Sequence, residues 1–347
     1  MHELLAALVF TLAPLTALAQ GSQAAHEMAR AIGQGVNFGN IFDAPQEGAW
    51  GLRLTDDYFE RVGDGTPIRS VRLPVRWSNH ASTDSAARID PAFITRITGV
   101  VDRLLARGVV VILNLHHYRQ LDGDPLDPGE TRVDDAVVEQ RFLSIWRQVA
   151  QHFAQRSPRL LFEVYNEPHG RLTARWNDLL REALGVIRAS NPTRLVVIGP
   201  THWNAATALP ELQLPPDPHL ILTVHHYEPF EFTHQGAEWV EPRKPTGLDC
   251  CDATQRAHMA RMLDLAVQDQ VRRGYPFFVG EWGAYSKAPP AARQRYTRTM
   301  RELMKERGLP WLYWEFAAGF GFYDPERRQW REPLYRALFG PDTAQPR

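Results

Sequence analysis

The sequence predicts an α/β fold, a single (β/α)8 TIM barrel, on three observations. Eight short apolar runs, rich in β-branched and aromatic residues, recur along the chain, each suited to a strand buried on both faces. Segments of helical periodicity separate them, and no linker, internal repeat, low-complexity tract or shift of composition divides the chain. The competing doubly wound sheet ordinarily carries a G-x-G-x-x-G turn after its first strand. Gly35-Val36-Asn37-Phe38-Gly39-Asn40 lacks that spacing.

The elements follow in order. Residues 4–18 are apolar, and Ala17-Leu18-Ala19 before Gln20 gives a small-x-small cleavage pattern. Residues 1–19 therefore read as a signal peptide, although His2 and Glu3 stand where basic residues are usual, and residues 20–347 read as the barrel domain. Pro14 and the shortness of the run argue against a membrane anchor, so a secreted or periplasmic protein is expected. Strand one runs from Gly35 towards Asn40, and Thr55 caps a helix start. Strand two is 68–75, followed by a helix from Pro91 to about Arg107 that Gly108 stops. Strand three is 109–117, with a helix at 137–155. Strand four is 160–166, ended by Pro168, which has no ladder donor, with a helix at 173–189. Strand five is 195–199, a short helical piece lies near 203–209, and strand six is 220–225. A polar, aromatic loop leads to a helix at 254–273 and strand seven at 276–279. A helix at 291–307 and strand eight at 311–316 precede a last helix near 333–339.

Bulk properties narrow the function. The chain of 347 residues is 44% hydrophobic and 23% charged, the balance of a soluble globular protein. With 39 basic against 40 acidic residues, nothing points to nucleic acid or a membrane surface, and a monomer is expected. Ten tryptophans serve either as core filling or as flat platforms for sugar rings, and only their positions separate the two. The two cysteines, Cys250 and Cys251, are adjacent, which leaves two loop thiols or one vicinal disulfide and argues against a metal site.

Barrel active sites lie at the carboxyl ends of the strands. There this chain delivers Asn37, Arg72, His116 and His117, Asn166 and Glu167, His225 and Tyr227, Glu281 and Trp314. Each alone has a structural explanation: Arg72 as a buried ion-pair partner, each histidine as hydrogen-bonded packing. Together they form a regularity that core packing does not require. Two glutamates at strand ends are what a barrel glycosidase needs. A metal is not expected: neighbours on a strand point to opposite faces, so His116-His117 and His225-His226 each offer at most one inward ligand. No G-x-S-x-G elbow, Walker loop or zinc-protease helix is present.

Val71-Arg72-Leu73-Pro74, Leu115-His116-His117, Tyr165-Asn166-Glu167-Pro168, His225-His226-Tyr227, Gly280-Glu281-Trp282-Gly283 and Trp314 occur in the order found in glycoside hydrolase family 5. The chain resembles that family over essentially all of residues 20–347. The loop from Glu228 to Ala237 and the stretch from Asn37 to Gly51 look like those of its bacterial endoglucanases. The resemblance implies Glu167 as general acid/base and Glu281 as nucleophile, about 5 Å apart, in a retaining mechanism without a cofactor. It implies that Arg72 and Tyr227 keep Glu281 ionised, that Glu281's charge helps to raise the pKa of Glu167, and that His225 orients Glu167. It also implies that Asn166 binds the substrate 2-hydroxyl, that His116 and His117 reach the sugar, and that Trp314 forms its floor. Asn37, Trp50, Trp203 and Trp239 are further candidates for glucan contact. The activity so implied is an endo-β-1,4-glucanase on a β-glucan polysaccharide or oligosaccharide. A β-mannanase, or a dual enzyme on the same residues, is the alternative, and a binding barrel without catalysis is the alternative of another class.

Overall fold

In a computed structural model, which describes residues 20–340, the chain forms a closed barrel of eight parallel strands in sequential order. The strands are β1 (Gln34–Asn37), β2 (Ser70–Leu73), β3 (Val110–Asn114), β4 (Leu160–Glu163), β5 (Val196–Ile198), β6 (Leu220–His226), β7 (Phe277–Trp282) and β8 (Trp311–Tyr313). The expected signal peptide, residues 1–19, lies outside the described residues. All eight strands fall within the predicted runs or extend them slightly. Most are shorter: β1, β3 and β4 end on the polar residues Asn37, Asn114 and Glu163, ahead of the expected ends.

The outer helices have readable ends. Pro91–Ala106 starts with Asp90 accepting from the Ala92 N–H. Ala253–Arg273 begins with a reciprocal Asp252–Gln255 capping box and ends on Gly274 at φ 72°. A short antiparallel pair, Tyr323–Asp324 with Gln329–Trp330, was not foreseen. Neither was the helix Gln23–Ile32 ahead of the barrel.

That helix closes the amino-terminal end of the barrel. Ala25, Ala29 and Ile32 are buried against inward-facing Val110, Ile112, Leu161, Leu195, Val197, Ile221, Phe278 and Leu312. Two alanines on the contact face let the helix approach closely, and Ser70 donates to the Ile32 carbonyl from inside the barrel. Apolar layers thus fill the lower barrel, and polar side chains gather at the opposite rim.

The tryptophans divide by position. Trp77, Trp146, Trp176, Trp282, Trp311 and Trp330 are buried. The first three donate their indole N–H groups to the carbonyls of Asn114, Val164 and Gly199, just at or past strand ends. Trp50, Trp203 and Trp239 are exposed, and Trp314 is half-buried. Cys250 and Cys251 form the vicinal disulfide. Among the described residues no helix is long and apolar enough to cross a membrane.

Candidate active site

Arg72, on β2, is wholly buried at the centre of the rim. Its Nε and Nη2 donate to the two oxygens of Glu163 at 2.6 and 2.8 Å, and its Nη1 donates to Glu281 Oε1 at 2.6 Å and Asn37 Oδ1 at 2.9 Å. Nη2 also donates to Asn166 Oδ1 at 2.7 Å. Because a guanidinium only donates, this contact fixes the Asn166 amide with its oxygen inward. Its N–H2 then faces Glu167.

Glu281 lies within β7, where the pairing with β6 shifts between Val224 and His225. The shift sets His225 opposite Glu281, and Gly280 makes room for it: a Cβ there would meet Thr223 Oγ1 at 2.5 Å and the His225 ring at 3.1 Å. Tyr227 Oη donates to Glu281 Oε2 at 2.8 Å. Burial raises the pKa of Glu281; His225, Arg72 and the Tyr227 hydrogen bond pull the other way.

Glu167 sits past the end of β4 at φ 52°, a left-handed backbone unusual for a residue with a Cβ. Its Oε1 lies 2.6 Å from His225 Nδ1. Burial lifts its pKa to about 7, opposed first by the His169 charge and then by that of Arg72. Glu163 adds to this rise, and the expected repulsion between Glu167 and Glu281 is present as a rise at Glu281. Two carboxylates already share the single charge of Arg72, so a proton on Glu167 near neutrality avoids adding a third negative charge to the rim. His225 is lowered to about 4 by burial and is therefore neutral near neutral pH. Asn204 Nδ2 donates to its Nε2 at 3.2 Å, which leaves the ring proton on Nδ1, facing Glu167.

One oxygen each of Glu167 and Glu281 and a ring nitrogen of His225 all lie within 4.8 Å of one another. Asp43, His116 and His117 form a second set within the same limit. That both adjacent histidines reach one place corrects the alternation argument: β3 ends at Asn114, and His117 adopts φ 54° beyond it. Donors in both sets are engaged elsewhere. The Asp43 oxygens accept the Asn40 and Ile41 N–H groups, and those of Glu281 are taken by Arg72 and Tyr227. Both sets therefore read as hydrogen-bond networks rather than open metal cages.

Trp314 lies parallel to the His116 ring at 5.8 Å, and Gly39 lets it do so, since a Cβ there would come within 2.6 Å of the indole. Trp50 packs edge-on to His117 at 5.8 Å with the Arg76 guanidinium over its face at 5.2 Å. Trp203 stacks on His169 at 4.6 Å, and Trp239 packs edge-on to Tyr285 at 4.8 Å. Asn37 departs from expectation. It is wholly buried and donates to the Gly280 carbonyl while accepting from Arg72, so it supports the rim from below and does not meet a glucan. Glu163, Asn204 and His169 were missed. Glu163 could have been found, since it shares strand parity with inward-facing Leu161. The sequence carries no comparable signal for the other two.

An eight-stranded barrel with two carboxyls this close at its rim, one beside an arginine and one beside a histidine, is the architecture of a glycoside hydrolase. The chain belongs to glycosyl hydrolase family 5, the cellulase family, whose model matches residues 31–319. It is 33% identical to Endoglucanase H of Acetivibrio thermocellus over 91% of this chain and 34% of that protein. It is 29% identical to Cellulase/esterase CelE of the same organism over 86% of this chain and 37% of that one. The chain thus spans about a third of the length of these two relatives. Among solved structures, a hyperthermophilic endo-β-1,4-glucanase in complex with substrate superposes with TM-score 0.85 at 38% identity, over 91% of this chain and 99% of that one. Thermotoga maritima Cel5A in complex with mannotriose superposes with TM-score 0.84 at 36% identity, over 90% and 99% of the two chains.

Proposed function

We propose that the protein is a retaining endo-β-1,4-glucanase, with Glu281 as nucleophile and Glu167 as general acid/base. The observation that carries this reading is the approach of the two carboxyls to within 4.8 Å. Retaining glycosidases hold their pair about 5–5.5 Å apart, whereas inverting ones leave roughly 6.5–9.5 Å for a water. In the first step Glu281 attacks the anomeric carbon as the glycosidic C–O bond breaks, and Glu167 gives its proton to the departing oxygen. In the second, water attacks that carbon, Glu167 takes the water's proton, and the bond to Glu281 breaks. Arg72 and Tyr227 stabilise the leaving carboxylate of Glu281. Neutral His225 holds Glu167 in place through both steps.

On this reading Asn166 donates to the sugar 2-hydroxyl, His116 and His117 bind hydroxyls of the same ring, and Trp314 forms its floor. Trp50, Trp203 and Trp239 offer exposed faces to neighbouring sugars. After loss of residues 1–19 the protein would act outside the cytoplasm, secreted or periplasmic, as a monomer without a cofactor. Soluble or amorphous β-glucan is the proposed substrate. One observation favours a second reading, a dual glucanase and mannanase: Thermotoga maritima Cel5A, similar over nearly its whole length, has been solved with both mannotriose and cellobiose. Reducing-end release from carboxymethyl-cellulose, mixed-linkage glucan and mannan separates the readings. The account expects release from both glucans. Release from mannan alone would overturn the glucanase reading, and release from no polymer would leave a binding barrel.

A further inference from the structure

Pro168 is followed by His169, at the turn that carries Glu167 past the end of β4. Its ring is nearly buried, with the side chain 13% exposed. Nδ1 lies 2.6 Å from the backbone carbonyl of Glu167, and Nε2 lies 3.1 Å from Asp124 Oδ2. A carbonyl and a carboxylate can only accept, so both ring nitrogens must donate, and the ring is an imidazolium. Asp122 adds a second negative group, 3.7 Å from Nδ1, and also accepts the His169 backbone N–H. Arg119 donates to the same Asp124 oxygen at 3.1 Å. Trp203 lies over the ring at 4.6 Å and 21° and is itself exposed. An indole over a cation in this arrangement is attractive.

The carbonyl gripped by His169 belongs to the residue whose left-handed backbone aims its carboxyl into the cleft. A non-glycine residue is strained in that conformation and keeps it only where its surroundings impose it. We propose that His169, as an imidazolium, is a positioning residue for the general acid: it fixes the turn at Glu167 and supplies the positive charge that makes its proton easier to transfer. The inference rests on the assignment of Glu167 above. The charge balance agrees. Burial opposes the charge on His169, yet Asp124, Asp122 and the Glu167 carbonyl together push its pKa up to about 9. At Glu167 the His169 charge is the largest influence opposing burial. The other charged or titratable groups facing this pair are Arg72, Glu163, Glu281, His225 and Tyr227 around Glu167, and Asp122, Asp124, Arg119 and His117 around His169.

His169→Gln keeps a donor for the Glu167 carbonyl and removes the charge. The alkaline limb of kcat/KM on cello-oligosaccharides, which reports loss of the acid's proton, should then move upward by on the order of one pH unit. Turnover of oligosaccharide should fall ~10-fold or more, while that of dinitrophenyl cellobioside, whose leaving group needs no proton, should change less than about threefold. An unmoved limb, or equal losses on the two substrates, would overturn the proposal. Glu167→Gln run in parallel must itself show the leaving-group split. If it does not, the assignment of Glu167 fails; if it does and His169→Gln does not, only the role of His169 fails. Nitrogen NMR of the folded wild-type protein, with the His169 signal assigned through its shift in Trp203→Phe, gives a test independent of that variant's folding. A doubly protonated ring at pH 7 is expected, and a neutral ring would overturn the proposal.

Discussion

At the residue scale Arg72 organises the rim, because one buried guanidinium holds two carboxylates and two amides in fixed directions. Neither Glu163 nor Glu281 has another cation within ion-pairing distance among the described residues except His225, which is neutral near neutral pH. Arg72→Met should therefore destabilise the fold by about 3–5 kcal/mol, the usual cost of stranding buried charge, measured by chemical denaturation. A loss below ~1 kcal/mol would mean that the carboxylates take up protons or find other partners easily. Glu167 and Glu281 were legible because each closely follows an apolar run in the sequence. Glu163 was not, because it lies four residues before Glu167, inside the apolar run, where strand parity alone reveals it. His169 and Asn204 act through bonds that only the folded loops create. Asn204 follows His202 and Trp203 in a left-handed turn, φ 56°, 58° and 57°, which no residue type there announces.

At the scale of elements the strands were easy to read and their ends were not. Buried parallel strands are continuous runs of Val, Ile, Leu and Phe, so β3 and β4 stand out in the sequence. Their last residues leave the ladder according to side-chain bonds such as the Trp77 and Trp146 indoles to Asn114 and Val164, which span distant parts of the chain. The helix Gln23–Ile32 escaped notice because its core-facing side carries two alanines and one isoleucine, a weak apolar signal next to a leader-like segment. Its place at the end of the barrel opposite the site makes it a test of stability separated from chemistry. Ile32 is fully buried there, and Ile32→Ala should cost about 2–5 kcal/mol in unfolding free energy with kcat unchanged. A fall in kcat matching the fall in stability would show that the floor of the barrel and its rim are coupled.

At the scale of the molecule the barrel separates two tasks. Apolar layers and a capping helix close one end, while the other collects charges that would be costly anywhere deeper in the core. The order of eight strands and the absence of a linker made this architecture legible from sequence, since each strand needs an apolar run and each crossover needs a helix. Cleft shape was less legible, because it depends on loops such as those carrying Trp50, Trp203 and Trp239. The central claim is that Glu281 and Glu167 stand at the separation of a double displacement. It is tested most directly by following the anomeric proton NMR signals of fresh product during the first minutes of cello-oligosaccharide hydrolysis. The account predicts that the β anomer accumulates first and then mutarotates towards equilibrium. Initial accumulation of the α anomer would contradict it, because an inverting reaction cannot proceed through a covalent bond to Glu281.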